Sequence, residues 1–149
     1  MQHVSKPRFL AVFALFIALA GCTNGLQKVA QSLSVVQVSA HDLRVFVHTA
    51  NTSTPQAISD NNTMAIYQIC DKIDAAGIQA DALTRSYTQL PPTTKPKIAA
   101  LVNPIIAAID DSIATGLVPI TDPATKQRVL TILQTIKSGL VVVQSVVGA

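Results

Sequence analysis

The chain of 149 residues contains no glutamate and no tryptophan. All eight of its acidic side chains are aspartate, which removes every Glu-based general acid or base from consideration. Charged residues make up 13% of the chain and aromatic residues 4%. Beyond residue 22 the aromatics are only Phe46, Tyr67 and Tyr87. A chain with no basic run and so few rings has neither the electrostatic footprint nor the stacking platform for nucleic acid, and no nucleic-acid partner is expected. The formal charge of +3 owes two units to Lys6 and Arg8, so residues 23–149 are close to neutral and their charge balance points to no partner. There is no glycine-rich phosphate loop, no nucleophile elbow and no Cys/His set at metal-ligand spacing. No catalytic residue, metal, cofactor or small-molecule substrate is therefore expected.

What the chain does have begins at its start. Lys6 and Arg8 precede a twelve-residue apolar run, Phe9 to Ala20. The run has the length of a secretory h-region and falls short of the ~20 residues a membrane-spanning helix needs. It ends in Leu19-Ala20-Gly21-Cys22. This stretch resembles the lipobox of bacterial lipoproteins. The resemblance covers residues 1–22 and implies cleavage between Gly21 and Cys22. It also implies a diacylglyceryl thioether on Cys22 and an N-acyl group, typically palmitate, on the new amino terminus. Several acyl chains anchor stably, because each buried CH₂ contributes about 0.8 kcal/mol. Thr23 stands where an inner-membrane lipoprotein of enterobacteria carries Asp, which favours the outer membrane. The chain thus divides into a signal peptide (1–21), a lipidated terminus with a short tether (22–25) and a domain over 26–149.

Four stretches of that domain carry helical periodicity. From Leu26 to Ala50 the residues Leu26, Val29, Leu33, Val36, Ala40, Leu43, Val47 and Ala50 recur at alternating intervals of three and four, a heptad seam. The corresponding helix is about 37 Å long. Asn51 to Pro55 is a break, and a second helix starts between Pro55 and Thr63. Its seam is Ile66, Ile69, Ile73, Ala76, Ala80, Leu83, Tyr87 and Leu90, ended by Pro91-Pro92. Ala76, Gly77 and Ala80 either admit a close neighbour or leave space, and Gly77 either serves that approach or weakens the helix. Thr93 or Thr94 caps a third helix with Pro96 in its first turn. Its stripe is Ile98, Val102, Ile105, Ile109 and Ile113, with Pro104 expected to kink it. After a loop over Gly116–Asp122, Asp122-Pro123 starts a fourth helix with the seam Val129, Leu133, Ile136, Leu140, Val143 and Val147. The expected fold is all-α, an up-down-up-down four-helix bundle. Arg128, Gln134, Lys137 and Gln144 interrupt the last helix, which favours a place in the bundle over membrane insertion.

The residues able to carry chemistry are few. Cys70 reads as a small buried apolar side chain, with an intermolecular disulfide as the functional alternative. His41 and His48 lie two turns apart, about 10 Å along a helix axis, too far to share an ion. Asp71 with Asp74, and Asp110 with Asp111, read as solvated faces. Lys95 and Lys97 sit at a helix N-terminus, where cations are disfavoured; in an up-down bundle that end lies near the lipid, and both are candidate contacts for headgroups.

The expected function is therefore a non-enzymatic envelope lipoprotein, held to the bilayer through Cys22 and binding another envelope protein. In architecture this is similar to the helical pilotins, small lipoproteins that bind secretin subunits. The alternatives are a phage- or plasmid-encoded surface-exclusion lipoprotein, and a bundle that carries a lipid or other hydrophobic ligand. Replacing Cys22→Ser is expected to move the protein from the membrane to the soluble fraction of lysed cells; unchanged membrane association would refute the anchor.

Overall fold

Apolar side chains repeating every three or four residues place one continuous stripe on a helix, and the stripe must be buried against another element. In the computed structural model, which describes residues 24–114 and 120–148, four such segments are α-helical. They are α1 (Gly25–Asn51), α2 (Asp60–Thr84), α3 (Lys95–Ala114) and α4 (Pro123–Val147). Among the described residues there is no strand. α1 packs on α2 and α4, and α3 packs on the same two helices. The helices thus form a ring of four neighbours around one core. The segment 1–21 expected to be a signal peptide, Cys22 and most of the loop expected over 116–122 lie outside the described residues.

Cross-helix contacts fix the relative directions. Arg44 of α1 reaches Asp71 of α2, while Asn24, at the start of α1, donates to the carbonyl of Thr88 just beyond α2. Val36 lies against Gly139 and Gly25 against Val146, so α1 and α4 are antiparallel. Lys137 meets Asp110 and Gln144 meets Asn103, so α3 and α4 are antiparallel as well.

The core is built from the seams. Val29, Leu33, Val36, Ala40, Leu43, Val47 and Ala50 of α1 are buried, as are Val129, Leu133, Ile136, Leu140, Val143 and Val147 of α4. α3 contributes Ile98, Val102, Ile105 and Ile109. α2 contributes Ile66, Ile69, Ile73, Ala76 and Ala80, joined by Cys70 and Gly77. Burying each Leu or Ile side chain is worth roughly 1.5–3 kcal/mol, and this term holds the ring together. α4 is long and apolar enough to cross a membrane by length and composition alone; here its apolar stripe is core.

The helix ends follow local chemistry. Asn24 caps α1, its Oδ1 accepting from the Gln27 N–H at 2.9 Å. Gly25 is therefore already helical, so the helix begins inside the span 22–25 that the sequence assigned to a tether. Asp122 caps α4 through the Thr125 N–H at 2.7 Å, with Pro123 at the first helical position. Hydrogen bonding by Thr125 holds the Asp122 carboxyl below its ordinary range. In the connection between α1 and α2, Asn51 donates to the Ile58 carbonyl and to Asp60, and Ile58 closes that end of the core.

Two features differ from the sequence expectation. α2 ends at Thr84 rather than near Leu90, and Tyr87 is exposed outside it. The Thr84 hydroxyl bonds back to the Ala80 and Asp81 carbonyls, and the residues up to Pro91 form turns in which a bulky ring at position 87 has no neighbour to cover it. Ser32 of α1 is buried although it lies outside the apolar seam. It faces the α1–α4 junction, where the carbonyl of Ser32 and Val36 Cγ2 lie 3.6 Å and 2.6 Å from where a Cβ on Gly139 would stand.

The two buried glycines separate cleanly. A methyl at 139 meets Val36, a β-branched side chain with one favoured helical rotamer and 1% exposure. A methyl at 77 meets the flexible Gln37 side chain from Cγ outward, which can swing aside toward solvent. Gly139→Ala is expected to destabilise by about 1–3 kcal/mol in urea unfolding. Gly77→Ala is expected to be neutral or to stabilise by up to about 1 kcal/mol through helix propensity. Equal effects at the two positions would contradict this packing.

Candidate functional site

The chemistry-bearing residues of α1 and α2 meet on one flank. Arg44 sits one residue from the seam residue Leu43, so its guanidinium leans across to α2. It contacts Asp71 Oδ1 at 2.7 Å and Asp74 Oδ2 at 3.2 Å, and lies 6.0 Å from the centre of the Tyr67 ring. The paired aspartates are thus the carboxylate side of an interhelical ion cluster. Its members are largely solvent-exposed, so the cluster sets helix register more than stability. Asp110 is likewise held, by Lys137 across the α3–α4 contact. On the other side of α1, Arg128 stacks over Phe46 at 4.4 Å. Neither the Arg44 cluster nor this stacked pair was read from the sequence. The available signal for Arg44 was its position beside the heptad seam, where charged residues commonly bridge neighbouring helices.

Cys70 lies directly beneath the Arg44 cluster. It is fully buried, and its Sγ is 3.5 Å from the Ala40 carbonyl of α1. Burial pushes the thiol up from 9.0 to about 11, against the opposing attraction of Arg44. A protonated, enclosed thiol is a poor nucleophile and has no route to a partner chain, so the small buried apolar role is the one its surroundings support.

His41 and His48 are exposed on α1. Among the described residues no three His, Cys or Asp side chains come together to hold an ion. Ala76, Gly77 and Ala80 are buried, with Gln37 laid over Gly77; the small residues admit a close neighbour rather than leaving a void at this point. Lys95 and Lys97 open α3; Lys95 is half-buried and Lys97 exposed. Lys95 lines a cleft of about 280 Å³ at the end of the bundle, together with Asn24, Gly25, Gln89, Leu90 and Val146. Gly21 and Cys22, the residues expected to mark cleavage and lipidation, lie outside the described residues.

The outer surface of α1 and α2 carries most of the exposed large apolar side chains. Val38 and Val45, seven residues apart, share one face of α1; Met64 and Ile78, fourteen apart, share one face of α2. These four are 52–68% exposed. They lie outside the seams, so no packing within the bundle requires them to be apolar. No protein-family model, curated protein or solved structure matches the chain.

The Cys70 environment makes a pH prediction. A thiol raised from 9.0 to about 11 on folding contributes stability that is complete below pH 9 and lost as pH rises through 11. Cys70→Ala is expected to flatten the alkaline fall in unfolding free energy across that window. Native protein at pH 8 is expected to resist a thiol reagent that labels it readily in urea. Rapid native labelling would mean that Cys70 is not enclosed.

Proposed function

We propose that the protein is a lipid-anchored lipoprotein of the bacterial envelope whose helical domain binds another envelope protein and carries out no catalysis. The lipobox-like stretch ending in Cys22 supports the anchor, and Thr23 supports the outer membrane. The observation that carries the binding role is the apolar dressing of an otherwise solvated surface, Val38 and Val45 on α1 with Met64 and Ile78 on α2. Single exposed apolar residues are ordinary and contiguous apolar patches mark docking faces; what favours docking here is the recurrence of four such residues along the outer faces of two neighbouring helices. Repeats of seven and fourteen residues suit a partner helix laid along the bundle. The Arg44–Asp71–Asp74 cluster adds fixed charges of both signs on the same two helices, the kind of feature that selects between partners.

Site-specific photo-crosslinking in cells tests this directly. A photoreactive residue at Val45 or Met64 is expected to trap one dominant envelope protein, while the same residue at Lys126 on α4 traps none. Val45→Asp is expected to abolish the adduct at position 64 without lowering the melting temperature. Equal labelling from positions 45, 64 and 126 would count against the docking face.

A further inference from the structure

The charges of the bundle are segregated along its axis. One end is formed by the start of α1, the 85–94 connection, the start of α3 and the last turn of α4. It carries Lys28, Arg85, Lys95 and Lys97; its only acidic side chain among the described residues is Asp81, which is engaged by Arg85. The opposite end carries Asp60, Asp110, Asp111 and Asp122 against Lys126 and Arg128. Lys97 lies exposed in the first turn of α3, at the positive end of the helix dipole, an arrangement that favours an external anion.

The same end is where the described chain begins. Asn24 is fixed there twice, its Oδ1 accepting from Gln27 and its Nδ2 donating to the Thr88 carbonyl at 3.2 Å. Two residues span at most about 7 Å, so anything attached at Cys22 emerges beside the 85–94 connection. In that connection Tyr87 is 49% exposed, and Leu90 packs on the core beneath it. A tyrosine flanked by cations is the composition found at membrane–water boundaries, where the ring sits at headgroup level.

We propose that this end is a membrane-facing surface that binds anionic phospholipid headgroups through Lys28, Arg85 and Lys97, with Tyr87 at the water–lipid boundary. Its orientation rests on attachment at Cys22; its charge pattern does not. The occupant is an anionic bilayer rather than a protein, because the end combines an excess of positive charge with the point where the chain enters the bundle. The apolar faces of α1 and α2 then project sideways, along the membrane plane.

The absence of tryptophan makes the test clean. Acylated full-length protein carrying Tyr87→Trp, or His48→Trp at the opposite end of α1, is reconstituted into vesicles with brominated acyl chains, with and without phosphatidylglycerol. The tryptophan at position 87 is expected to be quenched at least about twofold more strongly than that at position 48, and to lose this excess without phosphatidylglycerol or on Arg85→Gln with Lys97→Gln. Equal quenching at the two positions, or quenching at 87 that ignores phosphatidylglycerol, overturns the proposal. Flotation of the same samples reports the anchor separately. Should they fail to float, Cys22→Ser protein mixed with phosphatidylglycerol vesicles at low salt still decides the matter. Co-sedimentation weakened about fivefold or more by the paired substitutions supports the surface, and no co-sedimentation overturns it.

Discussion

Val36 Cγ2 occupies the space a Cβ at position 139 would need, 2.6 Å from it, and this contact sets how closely α1 and α4 approach. A glycine on one helix lets a β-branched side chain of its neighbour reach the backbone. The price is borne by Ser32, whose hydroxyl is buried at the junction with no hydrogen-bond partner among the described residues. With α1 and α4 drawn together, the remaining seam of α1 turns toward α2, where Cys70 meets the Ala40 carbonyl and Gln37 covers Gly77. α3 then closes the ring by packing on α2 and α4.

That arrangement leaves the described charged side chains outside the core. Arg44 joins α1 to α2, Lys137 joins α4 to α3, and Arg128 lies on Phe46 between α4 and α1. Each is a bridge between helices that the apolar seams already hold, so each tunes register more than it adds stability. The surfaces left for recognition differ in kind. The faces of α1 and α2 are apolar with a mixed-charge cluster, suited to a protein. The end near Asn24 is cationic with one exposed ring, suited to a charged bilayer. A lipid-anchored bundle with these two surfaces would engage a partner lying close to the same membrane.

The seams were legible because burial on a helix repeats every three or four residues and nearly every position in them is apolar. Every seam residue named for the fourth helix is buried, and all but Leu26 of those named for the first. The second helix was read too long because Tyr87 and Leu90 continue the spacing of Ala80 and Leu83 past the point where Thr84 and Arg85 end the helix. Periodicity cannot register a chain that leaves the helix while keeping the count. Cys70 was legible as a buried small side chain; the extent to which burial raises its thiol depended on what lies around it.

The sequence by itself determined the four helices, their buried stripes, the cap at Asp122 and the lipobox-like stretch, because each is a local pattern of neighbours along the chain. Only the tertiary structure decided that Asp71 and Asp74 share Arg44, that Gly139 receives Val36 while Gly77 receives Gln37, and that Lys28, Arg85, Lys95 and Lys97 gather at the end where Asn24 is pinned. These depend on which helices are neighbours and at what register. That information lies in contacts between residues some 27 to 103 positions apart, which no spacing along a single helix encodes.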